Sequence, residues 1–134
     1  MWNEYNVKTE KEIQEFWKKN KILEKSRKKN ANGKPYYLMD GPPFPSGHIH
    51  LGTALNKSLK DCAMRFKRMQ GFDVFDTAGW DCHGLPIELK VEKKLGLNGR
   101  EEIESKIGVE KFVKECEAFS TEFIDKMTEE FENL

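Results

Sequence analysis

One helix, with a short apolar run on either side, limits what this chain can become. From Leu51 the apolar residues are Leu51, Leu55, Leu59, Cys62, Phe66 and Met69. The steps of four, four, three, four and three trace a single helical face. Tyr36-Tyr37-Leu38-Met39 precedes that helix, and Phe72 to Phe75 follows it. The first run is apolar without alternation, as in a strand buried on both faces, and such strands belong to parallel sheets. Strand, helix and strand at this separation form a βαβ unit with a right-handed crossover. Gly71 stands where a C′ glycine ends the helix. The expected fold class is α/β, built on a Rossmann-type parallel sheet.

The flanks are helical. Thr9-Glu10-Lys11-Glu12 has the form of a capping box, and Ile13, Phe16, Trp17 and Leu23 carry an apolar face, so a helix is expected from about 9 to 25. Residues 26–35 are polar and contain Asn32-Gly33, which reads as a loop. After the second strand, Pro86 suits a first helical turn, Ile87, Val91 and Leu95 give that helix its stripe, and Gly96 stops it. Asn98 is placed to cap a short helix over about 99–107, and Gly108 interrupts. A last helix carries Val109, Phe112, Val113, Cys116, Phe119, Phe123, Met127 and Phe131 on one face. Two strands do not make a stable doubly wound sheet, so the chain reads as the first half of a larger nucleotide-binding domain.

The 134 residues carry no net charge, which points to neither nucleic acid nor membrane. The charge is unevenly placed. Residues 101–134 hold 11 acidic and four basic side chains, a net −7, leaving 12 acidic and 19 basic, a net +7, in residues 1–100. A basic front half suits a phosphate-bearing ligand. A solvated face explains Lys18, Lys19, Lys21, Arg27, Lys28 and Lys29 at least as well. Cys62, Cys82 and Cys116 are far apart, odd in number and without a CxxC, as expected of reduced cytoplasmic thiols. Cys82-His83 lacks a second ligand pair, so no metal site is expected. Met1-Trp2-Asn3-Glu4 lacks the basic-then-apolar layout of a signal peptide and no apolar run reaches transmembrane length, so neither feature is expected from these residues.

Two loops carry the chemistry. Gly41 to Lys57, GPPFPSGHIHLGTALNK, holds three prolines, three glycines and two of the three histidines. Pro42, Pro43 and Pro45 stiffen it and remove amide donors, which suits a wall for a small apolar ligand. The helix start near His50 offers free amides and a positive dipole end for phosphates. His50 and Thr53, three apart, project from one face, and Gly52 between them leaves bare backbone for a flat base. The second loop, Thr77 to Pro86, ends the second strand. Neighbouring strands would bring both loops to one crevice. Neither GxxxxGK[ST] nor GxGxxG occurs. Plainer readings stand beside these: His48 as a solvent-facing loop residue, His50 as a cap, Trp80 as a core anchor, and Asp81 as a cap or surface carboxylate.

The pair GPPFPSGHIHLGT and GWDCHGLPIELKVE resembles the class I aminoacyl-tRNA synthetases, in their isoleucine branch and in an archaeal-like form. NKSLKDCAMRFKRMQGFDV, IGVEKFVKECEAF and EIQEFWKKNKILEKS extend the resemblance over nearly the whole chain. It implies a Rossmann-type (HUP-like) catalytic domain whose first half is 36–134, preceded by a helix and loop over 1–35. It implies isoleucine, ATP with Mg2+, and tRNA(Ile) as partners, and the remainder of the catalytic domain supplied in cis or in trans. His50 would contact the ATP phosphates, Gly52 would lie under the adenine, and Gly47 would lie near the nucleotide. Pro42 would line the isoleucine side-chain pocket, and Asp81 would hold the α-ammonium.

Two departures follow. Thr53 stands where the HxGH signature has its second histidine, so it donates one hydrogen bond but carries no charge. His48 is a conceivable substitute. KMSKS, the editing region and the anticodon-binding region are absent from these residues. The resemblance thus leaves a choice between part of the full ligase, a half-domain that binds ATP or an adenylate without efficient turnover, and an interaction module using the acidic helix 109–133.

Overall fold

The computed structural model describes residues 6–134, and its chain divides into two compact units, Met1–Leu38 with Cys62–Asp76 and Met39–Asp61 with Thr77–Leu134. In the first unit, α1 spans Val7–Asn20 and α2 spans Ile22–Asn30. The helix therefore starts two residues before the expected capping box. Asn6 is the cap, its side chain accepting from the Lys8 amide at 2.9 Å, and Thr9 falls inside the first turn. The expected single helix is broken at Lys21, which takes a left-handed conformation (φ 51°).

The helical residues also continue past 25, where a loop was expected. Tertiary partners explain the extension. Arg27 and Arg68 both pair with Asp76, Arg27 through its Nε at 3.0 Å. Asn30 is buried, and its side-chain amide donates to the carbonyls of Arg68 at 2.7 Å and Phe72 at 3.1 Å. Arg27 is thus an anchor while remaining half-exposed. Gly33 then turns the chain so tightly that a Cβ there would lie 2.1 Å from the Gly71 carbonyl oxygen.

Strands β1 (Pro35–Tyr37) and β2 (Asp73–Phe75) pair in parallel, with Tyr36 opposite Val74 and Tyr37 opposite Phe75. The parallel pairing agrees with the sequence reading, but burial on both faces does not. Val74 is buried, whereas Tyr37 and Phe75 stand about 60% exposed and touch each other across the strands at 5.6 Å between ring centroids. Burial of both faces needs a covering layer on each, and among the described residues only the Tyr36–Val74 face is covered.

Helix α3 runs Leu51–Met69, as its periodicity requires. It ends in a Schellman arrangement: the Gly71 amide donates to Arg68 O at 3.0 Å and the Phe72 amide to Lys67 O at 3.2 Å, with Gly71 at φ 88°. Its apolar stripe is largely uncovered, with Leu51, Leu55, Leu59, Phe66 and Met69 all exposed.

The second unit has the larger core. Helix α4 (Leu85–Leu95) starts with a proline in its first turn and stops at Gly96, in the left-handed region. Its Ile87 and Val91 are almost fully buried with Leu97, Ile103, Phe112 and Phe119. Leu95, assigned to the same stripe, is 36% exposed. Asn98 is not a side-chain cap. Gly99, at φ 77°, takes the cap position before α5 (Arg100–Glu102), and the Glu102 carboxylate reaches back to accept from the Asn98 amide at 2.8 Å. A π-helical turn, Ile103–Ile107, leads to Gly108 and then to α6 (Val109–Glu132). Phe112, Phe119 and Met127 are buried on α6, while Val109 and Val113 are exposed. No helix among the described residues is long and apolar enough to cross a membrane.

Candidate functional site

The candidate site lies in the second unit, at the start of α3. The Ala54 amide donates to the His50 carbonyl at 3.0 Å, so His50 is the cap residue. Its Nδ1 accepts from the Thr53 amide at 3.2 Å, and its Nε2 lies 3.1 Å from Thr53 Oγ1. An accepting Nδ1 puts the ring proton of a neutral imidazole on Nε2, which then donates to the threonine oxygen. Thr53 keeps its own hydroxyl hydrogen for another acceptor. The ring lies against Gly52, where an added Cβ would sit 3.2 Å from Nδ1 and Cε1. A side chain at Gly52 would press on the imidazole, which would have to shift by a few tenths of an ångström.

A cleft of about 330 Å³ opens here, lined by Gly41, Pro43, His50, Gly52, Thr53, Asn56, Lys57 and Lys60. Lys57 and Lys60 both donate to the Asp40 carboxylate. Burial pushes the Asp40 carboxyl up, but hydrogen bonds from the two ammonium groups outweigh that and hold it below its ordinary range. Two cations against one anion leave this wall with a surplus positive charge, suited to an anionic ligand. Sequence reading did not single out Asp40, Asn56, Lys57 or Lys60. The usable signal was helical spacing: Thr53, Asn56, Lys57 and Lys60 follow one polar face of α3.

The structure brings His50, Gly52 and Thr53 into this cleft and leaves Pro42, Gly47 and Asp81 outside its lining. The two loops nonetheless meet. The Asp81 amide donates to the Pro43 carbonyl at 3.0 Å, and a Cβ at Gly79 would touch Pro42 at 3.7 Å. Pro45 is fully buried, so it anchors the loop and does not form a ligand wall. Gly47 has open space around it. Trp80 packs against Phe131, ring centroids 6.1 Å apart, as an anchor would.

His48 has a partner. Glu130 on α6 accepts from the Ile49 amide at 2.9 Å and contacts His48 Nδ1. The Ile49 amide first, and then His48, hold the Glu130 carboxyl below its ordinary range. The Cys116 thiol is pushed up by burial, with Glu88 next among the causes, a direction opposite to that of an activated thiolate. Among the described residues, no group of three or more His, Cys, Asp and Glu is arranged to hold a metal ion.

A family model described as tRNA synthetases class I (I, L, M and V) matches residues 12–134. The isoleucine–tRNA ligase of Methanocaldococcus jannaschii is 52% identical over 125 residues, covering 93% of this chain and 12% of that protein. The ligase of the same description from Pyrococcus horikoshii is 53% identical over 127 residues, 95% of this chain and 12% of its own length. That of Thermococcus kodakarensis is 50% identical over 134 residues, 99% of this chain and 13% of its own. The chain therefore spans about one eighth of the length of these curated relatives. With a family match running from the first helix to the last residue, and with identities near one half across nearly every position, the chain belongs to the class I tRNA synthetases.

Proposed function

We propose that this chain carries the first part of the ATP and amino-acid site of an isoleucine–tRNA ligase, residues 36–134 forming the first half of its HUP-like catalytic domain. In the longer protein the reaction is activation of isoleucine by ATP and transfer to tRNA(Ile), in the cytoplasm. The observation that carries this reading is the cleft at the start of α3, where a capping His50, the bare backbone of Gly52, the Thr53 hydroxyl and a surplus lysine charge line one space.

In activation, an isoleucine carboxylate oxygen bonds to the α-phosphorus while the bond from phosphorus to the pyrophosphate oxygen breaks. Negative charge accumulates on the departing oxygens. Donors fixed beforehand stabilise that charge without reorganising. Thr53 supplies such a donor at a helix start whose dipole is already positive, and His50 adds a second once its ring has turned. The adenine lies on Gly52, which requires the imidazole to leave that spot and turn toward the phosphates. Gly47 leaves the backbone bare beside the nucleotide. The Asp81 carboxylate pairs with the substrate ammonium, and Pro42 flanks the aliphatic side chain. Mg2+ arrives as part of the ATP complex.

The test is pyrophosphate exchange into ATP with isoleucine or valine, using the chain together with the remaining ligase sequence in cis or in trans. Isoleucine-dependent exchange that His50→Ala abolishes supports the reading. Exchange indifferent to His50 removes it. A second reading, a half-domain that binds ATP or an adenylate without efficient turnover, is favoured by one observation: the whole cleft lies within one unit. Calorimetry of the chain alone with ATP and a non-hydrolysable isoleucyl-adenylate mimic checks it, and no heat with either would exclude it.

A further inference from the structure

We propose that Glu130 is a positioning residue for the nucleotide site: it fixes the backbone of the two residues ahead of His50, and so sets where His50 and the first turn of α3 stand when the nucleotide arrives. This rests on the reading that ATP seats at His50, Gly52 and Thr53. Pro45 is fully buried and pins the loop at one end. Three residues further on, the Glu130 carboxylate takes two consecutive residues at once, the ring of His48 and the amide of Ile49 at 2.9 Å. Phe123, two turns earlier on α6, meets the His48 ring nearly edge to face, centroids 6.2 Å apart and planes at 85°. The next residue is His50.

The energetic reason is local. The Ile49 amide is half-buried and stands just outside the helix, where no intrahelical acceptor exists for it. A carboxylate is the strongest acceptor a side chain offers. Without it the amide must find another acceptor, and the segment between Pro45 and α3 gains backbone freedom. That freedom is then lost again on binding a nucleotide, which weakens affinity. A purely structural tether would change stability and leave affinity alone. A positioning role changes affinity in a folded protein.

The experiment measures ATP·Mg2+ binding by calorimetry to the chain completed by the remaining ligase sequence in cis or in trans, with helix content and melting followed in parallel. Glu130→Ala weakens ATP binding about tenfold at unchanged helix content. Glu130→Gln, which still accepts from the Ile49 amide, recovers most of the affinity. His48→Ala has a smaller effect, and its combination with Glu130→Ala loses less than the sum of the two. Glu129→Ala, a neighbouring carboxylate, leaves affinity unchanged. If Glu130→Ala does not fold, Glu130→Asp decides, since its shorter carboxylate cannot span both partners and should bind more weakly than the parent. Parent chain binding ATP with the Glu130 variants equal to it overturns this inference alone. A folded parent chain that binds no ATP overturns the reading of the site, and this inference with it.

Discussion

Thr53 and His50 grip each other at two points: the Thr53 amide reaches Nδ1 at 3.2 Å while its hydroxyl lies 3.1 Å from Nε2. One imidazole thus serves as both helix cap and donor, and separate substitutions should divide the two roles. His50→Ala removes the cap and should cost roughly 1 kcal/mol of stability in thermal unfolding, in addition to lost ATP binding. Thr53→Val keeps the amide bond and the side-chain shape. It should leave the melting temperature nearly unchanged and weaken ATP binding by about 0.5–1.5 kcal/mol, the net worth of one neutral hydrogen bond. Equal loss of stability in the two variants would show that the pair is structural only.

Asp81 separates backbone from side chain. Its amide holds the Pro43 carbonyl at 3.0 Å, a bond that Asp81→Ala retains. The variant should therefore fold normally and bind ATP normally. It should lose roughly 1.5–3 kcal/mol of isoleucine binding, the worth of a hydrogen bond to a charged group. Calorimetry with each ligand in turn checks both halves, and unchanged isoleucine affinity would remove Asp81 from the amino-acid site.

Two glycines should behave in opposite ways. At Gly33 a Cβ would lie 2.1 Å from the Gly71 carbonyl oxygen and 3.1 Å from the Asp73 amide, both backbone atoms that cannot step aside cheaply. Gly33→Ala should destabilise by on the order of 1–3 kcal/mol in denaturant unfolding. A Cβ at Gly47 would meet nothing within 4 Å. Gly47→Ala should change stability by less than about 0.5 kcal/mol, yet weaken ATP binding if, as proposed, the nucleotide passes beside Gly47. An inert methyl would place the nucleotide elsewhere.

Acid should weaken the site loops through two carboxylates. Glu130 is held below its ordinary value by the Ile49 amide and then by His48. At Asp40, burial raises the value, but Lys57 and Lys60 more than offset it. A folded-state pKa below the unfolded one contributes stability that is complete above the unfolded value and is lost as pH falls through the folded one. The ordinary values are 3.8 for Asp40 and 4.5 for Glu130. Melting temperature should therefore be insensitive to these groups near neutrality and fall on acidification below those values. Asp40→Asn and Glu130→Gln should each flatten that fall, and an unaltered slope would deny them this role.

What was legible in the sequence was local. The stripe from Leu51 to Met69 and the glycine at 71 gave α3 and its end to within a residue, and Pro86 and Gly96 bracketed α4. Local signals also placed His50 and Thr53 on one face of the first turn. What failed depended on distant partners. Asn30 and Arg27 hold α2 onto residues 38 to 49 positions away, which extended a helix where composition read as loop. Glu130 meets His48 across 82 positions, and nothing in its acidic surroundings points there. Strand burial was misjudged because an unbroken apolar run reports what a strand prefers against it, not whether a covering layer is present.

Titration of the 15N-labelled chain with ATP·Mg2+, followed by two-dimensional NMR, asks whether the start of α3 is the nucleotide site. The largest saturable amide shifts should fall on Gly52, Thr53 and Ala54, with the His50 ring resonances moving as the imidazole leaves Gly52. Amides near the Arg27–Asp76 pair in the first unit should stay still. Saturable shifts that centre elsewhere would contradict that assignment.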